Sequence, residues 1–300
     1  MRSTGPALAP PAGPAARPPG SDAWTNTALG VLLVLAAASG LAAFAFGTPL
    51  VGRWVVVLHG AAGIGLLVLA RRKGRIVRRS LGRPRRRPGS SASLVLAALV
   101  LVTVATGLVH GAGLTDRIGP LTLMQVHVGA AVLTVPLAVR HYRTRPGRSR
   151  RPGPGAPDAQ RRALLRGVAV TAASGAALAA WEGGLALADA PGAHRRFTGS
   201  HEVGSGDPAA FPVTQWLDDR VQRLDAGSWR LETGGRRLTL AVLREMPQDD
   251  VGAVLDCTGG WWSEQQWRGV RLDRIVDLGD ARSARVTCTR RSGGSAPSAR

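Results

Sequence analysis

The segment WVVVLHGAAGIGLLVLARRKGR, residues 54–75, combines an apolar run with one histidine and an abrupt basic end. Its residues 54–70 carry no charge, and this length is close to the about 20 residues that a helix needs to cross a bilayer. Three further runs share this character, at residues 24–46, 92–112 and 121–139. A fifth run, at 167–181, is shorter and rich in alanine. The sequence therefore predicts an α-helical transmembrane bundle of four helices plus a fifth linking helix.

The formal net charge of +20 first suggests a nucleic-acid partner. The arginines, however, are concentrated in two runs, RRKGRIVRRSLGRPRRRP at 71–88 and RHYRTRPGRSRRP at 140–152. Both runs follow apolar segments, where the positive-inside rule places cytoplasmic loops. We expect them to set the topology and to contact anionic head groups of the lipid bilayer rather than nucleic acid. The predicted location is the cell membrane, multi-pass, with a cytoplasmic N-terminus and an extracytoplasmic C-terminal domain.

Composition divides the chain into five regions. They are a disordered cytoplasmic tail at 1–22, the four-helix domain at 23–144, a basic flexible linker at 145–165, a fifth transmembrane or export-signal helix at 166–190, and an exterior domain at 191–300. The segment QRRALLR, residues 160–166, resembles a twin-arginine export signal, which carries folded proteins across a membrane. One more positive-inside cluster is the alternative interpretation.

Two histidines stand at one predicted depth. His59 and His127 both lie roughly 8 to 9 Å below the outer membrane boundary, at about 1.5 Å of helix rise per residue. Imidazoles at one level can supply both axial bonds of a haem b iron, and Gly60, Gly63 and Gly129 would leave space for the macrocycle. An interhelical hydrogen bond is the alternative role.

The other membrane histidines have lesser roles in this scheme. His110, near the outer end of the third apolar run, is the substitute haem ligand if one of the pair points elsewhere. His141 is predicted to be an interfacial residue next to Arg140. The layout resembles four-helix b-type cytochrome membrane domains, although the chain supplies histidines for one haem only. This resemblance implies electron transfer with a quinone or another electron carrier.

The region after residue 190 reads as a mixed α+β domain. SWRLETGGRRLTLAVLREMP, residues 228–247, predicts a strand, a turn at Gly234 and Gly235, a second strand and a short helix near Leu240 to Glu245. GAVLDC at 252–257 predicts a buried strand, and VRLDRIVDLG at 270–279 has helical spacing that ends at Gly279.

Two stretches of this region carry a resemblance to a known family. RRFTGSHEVGSGDPAAFPVTQWLDD at 195–219 and AVLDCTGGWWSEQQWRGVRLDRIVDL at 253–278 resemble the molybdopterin-binding domain of the sulfite oxidase superfamily. The resemblance covers residues 195 to about 286 and is closest to membrane-tethered members, in which this domain follows transmembrane helices. It implies a partial domain of that fold in the present chain.

By this resemblance Cys257 is the catalytic residue, and its thiolate binds the metal of a molybdenum–molybdopterin cofactor that acts on a small-molecule oxo-transfer substrate. A soft metal favours a thiolate ligand. Gly259 and Gly260 would let the backbone approach the cofactor closely, since neither carries a Cβ, and Thr258 is a further implied cofactor-binding residue. Contacts to the pterin phosphate or the substrate are implied for Arg196, Thr198, His201 and Arg268. The pocket walls would be Trp261, Trp262 and Trp267.

Several alternatives stay open at this point. Cys257 and Cys288 could form an extracytoplasmic disulfide, the tryptophans could belong to an ordinary core, and His194 and His201 could be surface residues. The stretch TCTRRSGGSAPSAR, residues 287–300, lacks periodicity, and from it we expect a truncated or frameshifted end.

The predicted function is therefore a membrane-bound molybdopterin-dependent oxidoreductase with an extracytoplasmic molybdenum site and haem b electron transfer in the membrane. The alternative is a non-enzymatic membrane protein. Such a protein would be a haem electron conduit or a cofactor-free anchor with an inactive exterior domain.

Overall fold

The computed structural model describes residues 21–81, 90–144, 157–212, 225–233, 235–277 and 279. Most of the predicted tail and linker, Gly234, Cys288 and the stretch 287–300 lie outside these residues. The predictions made for them, including the disulfide, are therefore not addressed by the structure.

Five long helices form most of the described chain. They are α1 (Ser21–Ala45), α2 (Pro49–Leu81), α3 (Ser90–Ala112), α4 (Leu123–Thr144) and α5 (Pro157–Leu187). All five are long and apolar enough to cross a membrane, which confirms the predicted membrane-type helical domain. The fifth helix is longer than predicted and takes in the end of the expected linker. Proline in the first turn and Asp158 close to the positive end of the helix dipole favour this early start.

The helices pair as antiparallel hairpins. α1 packs along α2, and α3 packs along α4. A two-residue strand pair, β1 (Arg117–Ile118) and β2 (Leu121–Thr122), forms the connection between α3 and α4. α5 packs against α2 and runs antiparallel to it, because Ser174 lies at Gly65 while Leu178, further along α5, lies at Gly60.

Burial in the bundle has the pattern expected in lipid. Large apolar side chains point outward, such as Leu41 with 74% and Val34 with 67% of its surface exposed. Small hydroxyl residues lie between the helices and donate to the carbonyl four residues earlier at 2.6 to 2.8 Å; they are Ser39, Thr106, Thr134 and Ser174. Close packing through small residues is typical of helices that associate in a bilayer, where burying apolar groups gives no driving force.

The basic ends of the helices lie at one end of the bundle. Lys73 Nζ donates to Asn26 Oδ1 at 2.6 Å, and the Arg72 guanidinium lies 5.9 Å from the centre of the Trp24 ring, which places the start of α1 beside the basic end of α2. Tyr142, near the end of α4, packs close to Gly30 of α1. The start of α5 lies at the same end, because α5 is antiparallel to α2.

The exterior domain follows α5 at the opposite end of the bundle. Its three-stranded sheet has β7 (Trp261–Gly269) in the middle, with β3 (His201–Glu202) parallel on one side and β6 (Asp249–Cys257) antiparallel on the other. A separate hairpin, β4 (Arg230–Thr233) and β5 (Arg236–Thr239), leads into α6 (Leu240–Glu245) and confirms the predicted strand, strand and helix. The hydroxyl of Thr239 caps this helix by accepting from the backbone N–H of Val242.

Two details of this domain differ from the sequence predictions. β6 is a strand, as predicted, but most of its side chains are exposed, because it forms one edge of the described sheet. The helical spacing at 270–279 yields only α7 (Leu272–Ile275), one turn long. The sulfite-oxidase-like fold stays a prediction, since this small sheet does not identify it.

Replacement of Gly65 by leucine should destabilise the bundle. A Cβ at Gly65 would lie 3.0 Å from Ser174 Oγ and 3.1 Å from Leu32 Cδ1, so a longer side chain must push α5 and α1 away from α2. We expect Gly65→Leu to lower the free energy of unfolding by about 1–3 kcal/mol in an SDS titration of protein in mild detergent. Gly175→Leu is the control, because a side chain at this exposed position meets nothing within 4 Å. Equal losses in both variants would contradict the packing of α5 on α2.

Candidate functional site

The two predicted haem ligands face each other inside the bundle. His59 of α2 and His127 of α4 have ring centroids 5.8 Å apart, with the ring planes at 77°. Each ring is largely enclosed by helices. The structure therefore brings together the pair that the sequence placed at one depth.

Each imidazole is held by the other helix of its own hairpin. His59 Nδ1 lies 3.0 Å from the carbonyl oxygen of Ala36 in α1, and His127 Nδ1 lies 2.8 Å from that of Thr103 in α3. A carbonyl can only accept, so each Nδ1 carries the ring proton and donates it. The remaining nitrogen, Nε2, is then left with its lone pair, which is the arrangement of a metal-binding histidine fixed by a backbone acceptor.

The two hairpins repeat this arrangement. A hydroxyl residue followed by glycine stands on the first helix of each hairpin, Ser39–Gly40 in α1 and Thr106–Gly107 in α3. The histidine follows the hydroxyl residue after 20 positions in one hairpin and 21 in the other. The sequence analysis missed this repeat, although the shared spacing could have shown it.

The glycines near the pair have two different roles. A Cβ at Gly40 would lie 3.0 Å from His59 Cε1, and one at Gly107 would lie 3.0 Å from His127 Cε1, so these glycines make room for the imidazoles themselves. A Cβ at Gly63 or Gly129 would meet nothing within 4 Å. Gly63 follows His59 by about one helical turn, whereas Gly129, two residues after His127, lies on another side of α4, so the predicted space for a macrocycle stays a prediction. The prediction was wrong for Gly60, whose face is filled by Leu178 of α5.

His110 does not substitute for either member of the pair. Its ring lies at the outer end of α3, where its centroid is 5.0 Å from that of His201 in a perpendicular arrangement. His201 Nε2 donates to the backbone carbonyl of His110 at 2.6 Å. A Cβ at Gly260 would lie 2.7 Å from His110 Cε1 and 2.9 Å from its Nε2. His110 is thus the contact between the membrane helices and the exterior domain.

Arg195 fixes the same junction from the other side. Its Nη1 donates to the carbonyl of Gly111 at 2.5 Å, and its Nη2 donates to Glu182 Oε1 at 2.5 Å. The guanidinium lies 5.3 Å from the centre of the Trp181 ring. Since Glu182 and Trp181 belong to α5 and Gly111 belongs to α3, Arg195 ties two membrane helices to the start of the exterior domain. No signal in the sequence pointed to this residue.

Cys257 lies in the turn that meets His110. β6 ends at Cys257, and β7 begins at Trp261, its partner in the antiparallel register. Gly260 adopts φ of +88°, and its N–H closes the turn on the Cys257 carbonyl at 3.0 Å. The N–H of Gly259 lies 3.4 Å from the half-buried sulfur of Cys257. The backbone therefore turns tightly around the sulfur, while the side chain of Thr258 is exposed.

Two of the residues predicted to contact the cofactor, Arg196 and Thr198, instead donate hydrogen bonds to the carboxylate of Asp256. Arg196 Nε donates to Asp256 Oδ2 at 3.1 Å, and Thr198 Oγ1 donates to the same oxygen at 2.8 Å. Ser200 Oγ donates to Asp256 Oδ1 at 2.7 Å. These residues hold the segment before β3 against the residue that precedes Cys257. In this arrangement Arg196 Nε and Thr198 Oγ1 already bind Asp256, so these two groups are not available to a pterin.

Arg268 and the tryptophans do not converge on the sulfur. Strand rise of about 3.3 Å per residue places Arg268 roughly 23 Å along β7 from Trp261. Trp261 and Trp267 both lie beside Phe211, with ring centroids 5.7 and 6.3 Å from that ring. Trp262 points to the other face of the strand, beneath Arg196. The three rings are therefore divided between two faces and do not wall a single pocket.

The other histidines have local roles. His194 is exposed and forms an ion pair with Asp189 at 2.7 Å, as expected of a surface residue. His141 Nδ1 lies 3.4 Å from Ser93 Oγ near the basic end of the bundle. Within the described ranges, no group of three or more His, Cys, Asp or Glu side chains could hold a metal ion. Among the described residues, the donors that a metal could use are the two facing imidazoles of the bundle and the sulfur of Cys257 in the domain after α5.

The docking of the exterior domain should weaken in acid. Burial lowers the pKa of His201, and the nearby positive charge of Arg195 lowers it further, against the hydrogen bond to His110. Docked His201 therefore binds a proton less readily than undocked His201. The domain stays docked above about pH 6.5, and docking becomes less stable as the pH falls from there towards the lowered pKa of His201. Hydrogen exchange of residues 195–203 should accelerate between about pH 6.5 and pH 5, after correction for the intrinsic rate.

His201→Gln should remove this pH dependence, because the amide can still donate to the His110 carbonyl but has no charged form. His194→Gln is the matched control and should keep the dependence, since His194 is exposed and its partner is Asp189. An unchanged acid response in His201→Gln would show that His201 is not responsible.

Comparisons of the chain with protein-family models, with curated proteins and with solved structures give no match. The likeness of residues 195–286 to the sulfite oxidase superfamily thus stays a prediction. The membrane helices, in contrast, are supported directly by their length, apolarity and outward-facing side chains. What the chain does has to be inferred from the histidine pair, the exterior turn and the junction between them.

Proposed function

We propose that the chain is a membrane electron-transfer protein that holds one haem b between His59 and His127, as the membrane part of an oxidoreductase. The observation that carries this proposal is the pair of imidazoles with centroids 5.8 Å apart, each anchored through Nδ1 on a backbone carbonyl. An isolated polar ring in hydrocarbon is costly, and two such rings at one level are the donor set of a low-spin haem.

The chain's own residues prepare the pair for this role. The two Nδ1–H donors fix the tautomer and orientation of the rings, so that Nε2 of each is the coordinating atom. Gly40 and Gly107 let the Cε1–Nδ1 edge of each ring approach α1 or α3 closely, and Gly63, about one turn after His59, leaves open space on α2. When bound, the haem supplies reversible one-electron transfer, while the protein sets its position and surroundings.

The fold also suggests an orientation and a carrier. The basic ends of α2, α4 and α5, with the start of α1 beside them, are proposed to face the cytoplasm, which leaves the exterior domain outside. The histidine pair then lies nearer the outer leaflet. A quinone in the bilayer, or another electron carrier, is the proposed exchange partner, since the bundle surface around the pair is apolar and faces lipid.

Loss of either ligand should abolish the haem spectrum. A reduced-minus-oxidised spectrum of membranes that contain the protein should show a sharp α-band of bis-histidine haem. We expect His59→Ala and His127→Ala to remove this band completely. His141→Ala should leave it unchanged, because His141 lies at the opposite end of α4. A band that persists in both ligand variants would reject the assignment.

A milder pair of variants tests the anchoring. Gly40→Ala would place a methyl group 3.0 Å from His59 Cε1 and should displace the ring, with haem affinity lowered by about 10–100-fold. Gly30→Ala is the control on the same helix, because its methyl group would make only an ordinary contact of 3.5 Å with Tyr142. Equal haem content in the two variants would show that the fixed orientation of His59 is unimportant.

For the exterior domain we propose, as a second and separable function, a molybdenum–molybdopterin site with Cys257 as the protein ligand. It is supported by the position of Cys257 at a strand end, with two glycines in the turn and a backbone N–H directed at the sulfur. A thiolate so placed suits a soft metal. Cys257, Thr258 and Gly259 are the residues proposed to face the cofactor, whereas Gly260 packs on His110. Arg196 and Thr198 are engaged with Asp256, and Arg268 lies far away.

Metal analysis should separate this site from the haem. Protein purified from a host that makes molybdopterin should contain molybdenum in a stoichiometric amount, and Cys257→Ser should lose it without change in the haem band. Cys288→Ser should retain the metal, since Cys288 is not the proposed ligand. Absence of molybdenum from the unsubstituted protein, together with an intact haem band, would leave the haem electron conduit as the function. Absence of both would indicate a non-enzymatic anchor.

A further inference from the structure

His110 is one of the side chains that join the two parts of the molecule, together with Arg195. The turn between β6 and β7 lies on the ring of His110, so closely that a Cβ at Gly260 would lie 2.7 Å from His110 Cε1. The methyl group of Met124 encloses the same position, 3.1 Å from that Cβ. The turn that carries Cys257 therefore touches the membrane bundle at His110 itself, without an intervening loop.

His110 is also close to the histidine pair along its own helix. Gly107 precedes His110 on α3 by about one helical turn, or roughly 4.5 Å along the axis. The ring of His127 packs on Gly107, and His127 Nδ1 lies 2.8 Å from the Thr103 carbonyl on the same helix. α3 thus contacts the exterior turn at one position and the ring of a proposed haem ligand at the next turn.

The His110 ring is buried where it meets the turn. Its Nε2 is shielded from solvent, and across the described residues it has no hydrogen-bond partner. The edge that carries Nε2 faces Gly260, towards the turn. The ring edge and the turn are therefore packed directly against each other.

We infer that His110 is the contact through which electrons pass between the Cys257 turn and the His59–His127 pair. The inference rests on the proposed haem. A reduced molybdenum centre held at Cys257 would lose one electron, and a ferric haem held by His59 and His127 would gain it; no bond would form or break in this transfer. The packed contacts from Gly260 to His110, and from α3 to His127, supply an unbroken path through protein atoms.

The experiment uses a light-driven reductant in place of the natural donor. Thr258 is exposed in the turn, so Thr258→Cys in a Cys257→Ser, Cys288→Ser background gives one attachment site for a ruthenium trisbipyridine label. A laser flash makes the label transfer one electron to the ferric haem, and an aniline donor restores the oxidised ruthenium. The rate is followed at the haem α-band in detergent-solubilised full-length protein.

We expect His110→Ala to slow the transfer by at least about tenfold, because it opens a gap in the path, and His110→Phe to stay within about threefold of the parent rate, because it keeps a packed ring. Gly260→Ala should also slow the transfer, since its methyl group would force the turn away from His110. Gly206→Ala is the matched control, because Gly206 has a similar positive φ of +75° but a Cβ added there would meet nothing within 4 Å. Its rate should be unchanged.

The haem spectrum separates the possible failures. His110→Ala must keep the α-band and the midpoint potential of the parent, which shows that the ligands have not moved. Unchanged transfer rates in both His110→Ala and Gly260→Ala, with the haem intact, would overturn the inference and leave the haem proposal standing. A parent protein without a haem band would instead overturn the proposed function, and the inference with it.

Discussion

A polar ring inside a bilayer needs a partner, and in this molecule the partner is a backbone carbonyl. His59 and His127 donate Nδ1–H to Ala36 and Thr103, residues whose carbonyls already accept bonds within their own helices. Each carbonyl also accepts from a hydroxyl on its own helix, Ser39 Oγ at 3.2 Å in α1 and Thr106 Oγ1 at 3.0 Å in α3, so several donors share one oxygen. The hydrogen bond from Nδ1 fixes the distance between the helices of each hairpin and also decides which ring nitrogen remains for other chemistry.

The glycines and small hydroxyl residues of the bundle let the two helices of each hairpin come close enough for this hydrogen bond. Glycine at positions 40 and 107 lets the rings approach the backbone, and small hydroxyl residues satisfy their own polar groups within the helix. The same solution occurs in both hairpins, which indicates that the arrangement belongs to the hairpin as a unit. Each hairpin contributes one imidazole, and only their association produces the pair.

The sequence predicted the elements better than it predicted their contacts. Apolar runs marked α1 to α4, and counting residues along them placed His59 and His127 at one level. The start of α5 was missed because its first turns are polar. β7 was missed because its inward face presents Ser263 and Gln265, whose polarity hides the alternation; Gln265 is buried only because its amide reaches the Gly204 carbonyl. The contact of His110 with Gly260 joins residues far apart in the chain, and no local pattern reveals such proximity.

The helical tether to the exterior domain has a consequence for how such a chain can vary in length. α5 continues to Leu187. Near its end, Arg195 at the start of the exterior domain donates a hydrogen bond to Glu182 and lies over the ring of Trp181. With 3.6 residues per turn, one inserted residue would swing the domain by about 100° around the helix axis and remove the Cys257 turn from His110. An insertion of about seven residues, close to two full helical turns, would keep the direction in which the domain faces but move it roughly 10 Å further from the membrane. The number of residues in α5 thus determines both the angular position of the domain around the helix axis and its distance from the membrane.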